Sequence, residues 1–331
     1  MAAAIVEGGA TTALGAAGVR ARGSKEPVLP GDRFHLGSCT KAMTATLCAM
    51  LVEEKRLAWD APVAKALDDP TRADAGWKGA TLEHLLTMRA GAPESLDADG
   101  LWARLWRREG KPEEQRAELA RGVLGKPPVH APGSTTLYAN ASYALAGVLA
   151  ERAAGRPFED LLRERLFVPL GMESAGFGAP GSADAVDQPR GHDREGKPVP
   201  PGPHADNPPG IAPAGTVHAS LGDWAKFAAL HLEAARGKPR LLKEESFRRL
   251  HAPAGKRRGD GYAMGWAVGA RPDLGPVLEH AGSNTMWFCL VRIAPEKGLA
   301  VLVACNQGAR GDKACAEAAD LLARRVIDAR K

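Results

Sequence analysis

Ser38 and Lys41 are the most informative residues in the chain, because their types and spacing could support acyl transfer. Residues i and i+3 share one face of a helix, so the lysine amine can lie against the serine hydroxyl and take its proton. Gly37 precedes the pair and the apolar run 42–47 follows it, which predicts that Ser38 stands at a helix N-terminus. Free N–H groups there favour an oxyanion and disfavour an ammonium group. Taken alone, the pair is equally consistent with an N-capped helix and a solvated lysine.

Two further stretches contain groups that this chemistry needs. Tyr138 and Asn140 flank one alanine, just after a Pro-Gly turn. A phenol can pass a proton to or from a serine or a leaving group, and an amide can hold a substrate carbonyl and a lysine ammonium. Near the C-terminus, residues 278–284 are typical of a strand that opens at Gly282. A substrate can approach a glycine closely, and the N–H of Ser283 can then be a second oxyanion donor.

The order of these motifs resembles that of the serine acyl-transferases related to β-lactamases. That order is Ser-x-x-Lys, then Tyr-x-Asn roughly a hundred residues later, then a strand with a basic residue two before a glycine. The tyrosine-containing motif is similar to that of class C β-lactamases, their penicillin-binding-protein and D-alanyl peptidase relatives, and esterases of that fold. Four other segments resemble family segments in the same order: 81–88, 166–172, 213–227 and 262–266.

The resemblance implies an α/β (α+β) fold of the β-lactamase/transpeptidase-like type, with a central antiparallel sheet flanked by helices. Strands are predicted near the N-terminus and at 261–269, 277–281, 286–294 and 299–306, around a helical middle. This pattern predicts a discontinuous α/β domain, residues 1–60 and 210–331, with an inserted and mainly helical domain, residues 61–209. The proline-rich stretch 178–213 is interpreted as an ordered loop at the rim of the active site, because such long loops are often functional.

The resemblance also implies a mechanism in which Ser38 is acylated by a small-molecule acyl substrate and water then releases the acid. Lys41 or Tyr138 is the base, and the sequence leaves open which. The N–H groups of Ser38 and Ser283 would hold the oxyanion. His280 stands where true β-lactamases and peptidases usually have lysine, and histidine is mostly neutral near pH 7. This departure weakens the case for carboxylate recognition and favours esters, lactones or small amides, with β-lactams as a side activity.

Two alternatives to this function stay open. One is a dedicated class C-like β-lactamase or D-alanyl-D-alanine carboxypeptidase. The other is a non-catalytic ligand-binding or scaffolding descendant, against which the intact Ser38, Lys41, Tyr138 and Asn140 argue. His218 follows the glycine turn that the family places near the cleft, so it is either a substrate contact or a structural residue.

Composition agrees with an enzyme and excludes several other classes. The 331 residues are 44% hydrophobic and 25% charged, as is ordinary for a globular protein. The net charge is +5, and the basic residues are scattered, with short clusters only at Lys256, Arg257 and Arg258 and at Arg324 and Arg325. Nucleic acid is therefore not expected as a partner. Phosphate-loop and dinucleotide motifs are absent from the sequence, and its histidines lack ligand-like spacing. We therefore expect neither a cofactor nor a metal.

The sequence also bears on compartment and redox state. It contains no apolar stretch long enough to span a membrane and no signal-peptide pattern. The expectation is thus a cytoplasmic protein or an exported one whose leader has been removed; oligomeric state is not predicted. Five cysteines cannot all pair, and we expect them to be small core residues: Cys39, Cys48, Cys289, Cys305 and Cys315.

Overall fold

A central antiparallel sheet organises the computed structural model, which describes residues 1–255 and 261–331. The predicted basic cluster at Lys256, Arg257 and Arg258 lies outside the described residues. The strands are β1 (Ala2–Glu7), β2 (Ala10–Ala16), β3 (Arg33–His35), β4 (Gly176–Phe177), β5 (Gly191–His192), β6 (Pro198–Val199), β7 (Val217–Ser220), β8 (Gly261–Tyr262), β9 (Ala267–Arg271), β10 (Gly275–Ser283), β11 (Phe288–Ala294) and β12 (Leu299–Cys305).

Seven of these strands form the main sheet in the order β2-β1-β12-β11-β10-β9-β8, and every neighbouring pair is antiparallel. Strand β1 therefore lies between β2 and β12, so the first and last strands of the chain are neighbours in the sheet. A smaller sheet, β3-β7-β4, carries the residues just before Ser38. The expected central antiparallel sheet flanked by helices is confirmed.

The helices lie on both sides of the sheet and in the middle of the chain. They are α1 (Thr40–Glu53), α2 (Leu82–Leu86), α3 (Leu101–Trp106), α4 (Pro112–Leu124), α5 (Asn140–Ala154), α6 (Phe158–Leu162), α7 (Val168–Leu170), α8 (Ala212–Gly215), α9 (Leu221–Ala234), α10 (Glu244–His251) and α11 (Gly311–Ala329). A π-helical segment, Arg163–Phe167, joins α6 to α7.

Strand periodicity explains why both faces of the sheet are covered. Along β12, alternate residues from Leu299 to Cys305 pack in the cluster formed with α11, and the residues between them join the main core. Helix α1 is buried from Thr40 to Leu51, which is expected of a helix enclosed by protein all round. It packs against α5 and α8. Ser38 thus stands just before one of the most enclosed elements of the chain.

Several strand bounds differ from the sequence prediction, and two of the differences have a clear local reason. The predicted strand 261–269 is broken into β8 and β9 by a turn in which the Ala263 N–H donates to the Trp266 carbonyl, with Gly265 at φ +84°. The predicted strand 286–294 begins only at Phe288. The preceding turn is closed by Asn284, whose side-chain oxygen accepts from two backbone N–H groups. The division into two domains stays a prediction.

Candidate active site

Ser38 lies in a tight turn, Gly37–Cys39, that joins β3 to α1. Gly37 has φ +48°, and a Cβ added there would stand 2.5 Å from the Ser283 nitrogen. A Cβ on Gly282 would overlap the Leu36 carbonyl. Glycine at both positions therefore lets the end of β10 press directly against the nucleophile turn, which brings the Ser38 and Ser283 backbones together.

Lys41 is fully buried one turn further on, and its amine is surrounded by oxygen atoms. Its Nζ lies 2.9 Å from the Ser38 Oγ, 2.8 Å from the Asn140 Oδ1 and 2.8 Å from the Ala214 carbonyl oxygen. None of these groups is a carboxylate. Burial lowers the pKa of Lys41 from 10.5 to about 7, against a smaller opposing effect of Cys39. A large neutral fraction of the amine is thus available near neutral pH.

The three contacts suit a neutral amine that accepts a proton. A neutral amine has two N–H donors and one lone pair. The Asn140 and Ala214 oxygens can only accept, so they take the two N–H groups. The lone pair then faces Ser38, whose hydroxyl can donate to it. In its neutral form, Lys41 thus directs its lone pair at the Ser38 hydroxyl.

Tyr138 lies beside Ser38 and Lys41. Its ring centroid is 4.9 Å from the Lys41 Nζ. The residue as a whole is 42% exposed, so the ring edge forms part of the open wall of the site. Burial of the phenol raises the pKa of Tyr138 to about 12, and the nearby Ser38 hydroxyl partly offsets this rise. The hydroxyl is therefore protonated at neutral pH and can donate or relay a proton.

His280 and Tyr262 form an aromatic wall with Tyr138. The three ring centroids are 6.1–6.4 Å apart. The His280 Nδ1 lies 2.7 Å from the Ala281 carbonyl, which can only accept, so Nδ1 carries the proton. Its Nε2 lies 3.4 Å from the Tyr262 hydroxyl. Histidine, unlike lysine, offers a substrate no permanent cation.

Two other buried aromatic side chains, His218 and Trp287, lie deeper in the protein. His218 is 8% exposed on β7, and its Nδ1 donates to the Gly178 carbonyl at 2.9 Å. Within the described residues, no hydrogen bond joins His218 to Ser38, Lys41 or Tyr138. Trp287 is fully buried and stacks on His35, with ring centroids 5.7 Å apart, so it belongs to the core.

Buried hydroxyl and thiol groups near the site have structural contacts. Tyr143 is fully buried in α5 and donates to the Leu86 carbonyl at 2.7 Å. All five cysteines are buried and free. Cys39 turns away from Ser38 toward β11, where the Cys289 Sγ lies 3.6 Å from its own.

Sequence reasoning missed several groups that define the site. The Ala214 carbonyl is a backbone atom brought in by tertiary packing, so no side-chain motif could reveal it. Tyr262 was visible only as part of a segment that resembles the family, with no assigned role. His35 and Asp206, which lie behind Ser38, are 171 positions apart and carry no shared spacing signal.

The described ranges, 1–255 and 261–331, contain neither a metal-binding cluster nor a membrane-spanning helix. No group of three or more histidine, cysteine, aspartate or glutamate side chains there is placed to hold a metal ion. No helix in those ranges has the length and apolar character needed to cross a membrane.

The motifs, sheet and site define a serine acyl-transferase fold, and comparison with known proteins identifies the family. The Beta-lactamase family model matches residues 1–324, so the chain belongs to that family. A beta-lactamase of Escherichia coli (strain K12) is 30% identical over 74% of this chain and 59% of its own length. Esterase EstB of Burkholderia gladioli is 29% identical, over 89% of this chain and 83% of its own.

Further relatives show the range of the family. The unguisins hydrolase ungD' of Aspergillus campestris is 25% identical over 84% of this chain. The chain spans 53% of that protein and 59% of the Escherichia coli beta-lactamase. Among solved structures, the octameric penicillin-binding protein homologue from Pyrococcus abyssi has a TM-score of 0.77 and 26% identity. That match covers 94% of this chain and 70% of the other.

Proposed function

We propose that this protein is a serine hydrolase that forms an acyl-enzyme on Ser38 and acts on uncharged esters, lactones or small amides. The observation that carries the proposal is the Lys41 amine, which is buried 2.9 Å from the Ser38 Oγ and has no carboxylate partner among residues 1–255 and 261–331. A lysine enclosed in this way costs stability, and such groups are characteristic of functional sites. Relatives named esterase, hydrolase and beta-lactamase support the same class of reaction.

The first half-reaction begins when neutral Lys41 takes the Ser38 proton and the Oγ attacks the substrate carbonyl. The tetrahedral oxyanion accepts hydrogen bonds from the N–H groups of Ser38 and Ser283. The Tyr138 hydroxyl gives its proton to the leaving alcohol or amine and regains one from the Lys41 ammonium. The C–O or C–N bond of the substrate breaks, the acyl group stays on Ser38, and Lys41 is neutral again.

The second half-reaction uses the same groups with water as the nucleophile. Lys41, directly or through Tyr138, takes a proton from a water molecule that attacks the acyl carbonyl. The Ser38 Oγ leaves and receives that proton, and the carboxylic acid is released. The pKa directions support these roles, because Lys41 is easily neutral at pH 7 whereas Tyr138 stays protonated.

The preference for uncharged substrates rests on His280. Its Nδ1–H is used by the Ala281 carbonyl and its Nε2 faces the Tyr262 hydroxyl. A substrate carboxylate beside this ring would find no permanent positive charge. The aromatic wall of Tyr138, Tyr262 and His280 instead favours an apolar acyl or alkyl group, which would gain from burial against the rings.

A short p-nitrophenyl ester and a chromogenic cephalosporin, assayed side by side, test the proposal. The wild-type protein should hydrolyse the ester more efficiently, and intact mass should show one fluorophosphonate adduct on Ser38. Ser38→Ala should lose both the adduct and, by about three orders of magnitude or more, the ester hydrolysis. Ser134→Ala, which removes an exposed serine, is the matched control and should behave as wild type.

The alternatives give different outcomes in the same assay. A strong preference for the cephalosporin would identify a dedicated β-lactamase and overturn the substrate class proposed here. Absence of turnover and of labelling at Ser38 would leave a non-catalytic binding protein.

A further inference from the structure

Behind the nucleophile turn lies a fully buried histidine, His35, whose two ring nitrogens are both engaged. The Gly37 N–H donates to its Nδ1 at 3.1 Å, and its Nε2 lies 2.7 Å from the Asp206 Oδ1. A backbone N–H can only donate, so Nδ1 carries no proton. The proton is therefore on Nε2, which donates to the Asp206 carboxylate. The ring is a fixed bridge from Asp206 to the residue just before Ser38.

We propose that His35 and Asp206 are positioning residues for Ser38, holding the Gly37 peptide so that the Ser38 hydroxyl and N–H face the substrate. The proposal rests on the proposed acyl transfer at Ser38. Neither residue is catalytic: within the described residues, neither hydrogen-bonds Ser38, Lys41 or Tyr138.

The nucleophile turn is also held by the close approach of β10 and by two backbone hydrogen bonds on either side of Gly37. The Leu36 N–H donates to the Val217 carbonyl at 2.8 Å, and the Cys39 N–H donates back to the Leu36 carbonyl at 3.1 Å. Gly37, between them, has φ +48° and the wide conformational freedom of glycine. The hydrogen bond to His35 fixes the peptide that precedes Gly37 and so adds to the restraints on the turn. Rotation about Gly37 would swing the Ser38 N–H, so the position of this oxyanion donor depends in part on the contact.

Asp206 is itself held from several directions. It belongs to the segment Pro203–Asn207 of the proline-rich loop, and the Arg108 guanidinium donates to the carbonyls of Pro203, Asp206 and Asn207 at 2.6–2.9 Å. The Asn284 amide donates to the Ala205 carbonyl at 3.0 Å, which ties the segment to the turn after β10.

The same segment reaches the residues around Lys41. Asn207 donates to the Gly215 carbonyl at 2.7 Å, next to the Ala214 carbonyl that accepts from Lys41. The ring of His35 is further fixed by stacking on Trp287 at an interplanar angle of 24°. Because Asp206 and the His35 ring are both held in place, their hydrogen bond fixes the Gly37 peptide relative to the proline-rich loop.

Substitutions can separate the two hydrogen bonds from simple packing. His35→Phe keeps a ring on Trp287 but removes both bonds. Asp206→Asn keeps an oxygen that accepts the Nε2–H, whereas Asp206→Ala does not. His192→Phe is the matched control, because His192 is also a buried histidine between two polar partners. Its Nε2 accepts the Arg22 N–H at 3.0 Å, and its Nδ1 lies 2.5 Å from the Asn306 carbonyl.

The measurement is single-turnover acylation of Ser38 by a p-nitrophenyl ester, followed as a burst, with folding checked by circular dichroism and thermal melting. We expect His35→Phe to lower the saturating acylation rate constant about 100-fold and to change the half-saturating concentration less than about threefold. Asp206→Ala should also be slow, and Asp206→Asn should recover most of the rate. His192→Phe should acylate at the wild-type rate whatever its melting temperature.

Each result decides the matter. Wild-type acylation rates in folded His35→Phe, or equal losses in His35→Phe and His192→Phe, would overturn the positioning role. If His35→Phe does not fold, the Asp206 pair decides, and equal rates for Asp206→Ala and Asp206→Asn would overturn it. Failure of the wild-type protein itself to acylate would overturn the proposed function, and this inference with it.

Discussion

Removal of the Lys41 amine should make the stability of the protein less dependent on pH. Burial lowers the pKa of Lys41 from 10.5 to about 7. At about 1.4 kcal/mol per pH unit, that drop corresponds to a destabilisation of about 5 kcal/mol when the amine must be charged. Lys41→Met replaces the amine by an apolar group of similar length and removes this titration.

The sign follows from proton binding in the two states. Between pH 7 and 10.5 the unfolded chain keeps the Lys41 proton while the folded protein loses it, so the free energy of unfolding rises with pH in this window. Below pH 7 both states are protonated and the folded state carries the full penalty. The wild-type protein should therefore gain about 2–3 kcal/mol relative to Lys41→Met between pH 7.5 and 9.5.

Urea unfolding followed by tryptophan fluorescence, at several pH values, measures this difference. Comparing the change with pH cancels the hydrogen bonds that the variant loses to Asn140 and Ala214, since those losses do not depend on pH. Lys65→Met removes an exposed lysine and controls for the loss of a positive charge. A difference between wild type and Lys41→Met that stays constant from pH 7.5 to 9.5 would refute a neutral Lys41, and with it the assignment of this residue as base.

Four further outcomes are expected. Tyr138→Phe should lower kcat/KM for the ester by about 10²- to 10⁴-fold with little change in melting temperature, because it removes a proton donor from a partly exposed side chain; equal rates would exclude that role. Gly282→Ala should destabilise the protein by about 3 kcal/mol in urea unfolding and abolish acylation, because its methyl group overlaps backbone; a folded, active variant would contradict the close approach. His280→Lys should raise kcat/KM for the cephalosporin relative to the ester about tenfold by supplying a cation; an unchanged ratio would remove His280 from substrate selection. Burial lowers the pKa of His251 to about 4, and its Nε2 contacts the Nδ1 of His231. The unfolded chain binds the His251 proton first as pH falls from 6.5 to 4, so the free energy of unfolding should drop by about 3 kcal/mol. His251→Gln should lose less over the same range.

The parts of the fold that the sequence predicted are those fixed by local pattern. The continuous apolar run of β12 marks it as a buried strand, and apolar residues at helical spacing mark α11. The arrangement of the sheet came from the family resemblance, since strand order depends on contacts between the two ends of the chain. Boundaries were wrong where one group closes a turn, as at Asn284, because its partners are backbone atoms that a propensity cannot weigh.

The site divides in a similar way. Ser38 and Lys41 could be paired from spacing alone, because one helical turn brings them together. Tyr138 and Asn140 needed the order of motifs, and the structure places both beside Ser38 or Lys41. What could not be predicted is the environment that sets their chemistry. The depressed pKa of Lys41 depends on burial by distant segments, which no spacing rule encodes.

The burial of Lys41 also depends on a residue that helix propensity disfavours. Gly147 lies in the middle of α5, where glycine costs about 1 kcal/mol relative to alanine. A Cβ at Gly147 would overlap the ring of Pro213, so glycine lets the Pro213 turn pack directly on the helix. That turn presents the Pro213 carbonyl to the Thr44 hydroxyl at 2.7 Å and the Ala214 carbonyl to Lys41 at 2.8 Å. A glycine that lowers the helix propensity of α5 thus allows the Ala214 carbonyl to reach and accept a hydrogen bond from the buried Lys41 amine. The helix cost at Gly147 is therefore linked to the environment of Ser38 and Lys41.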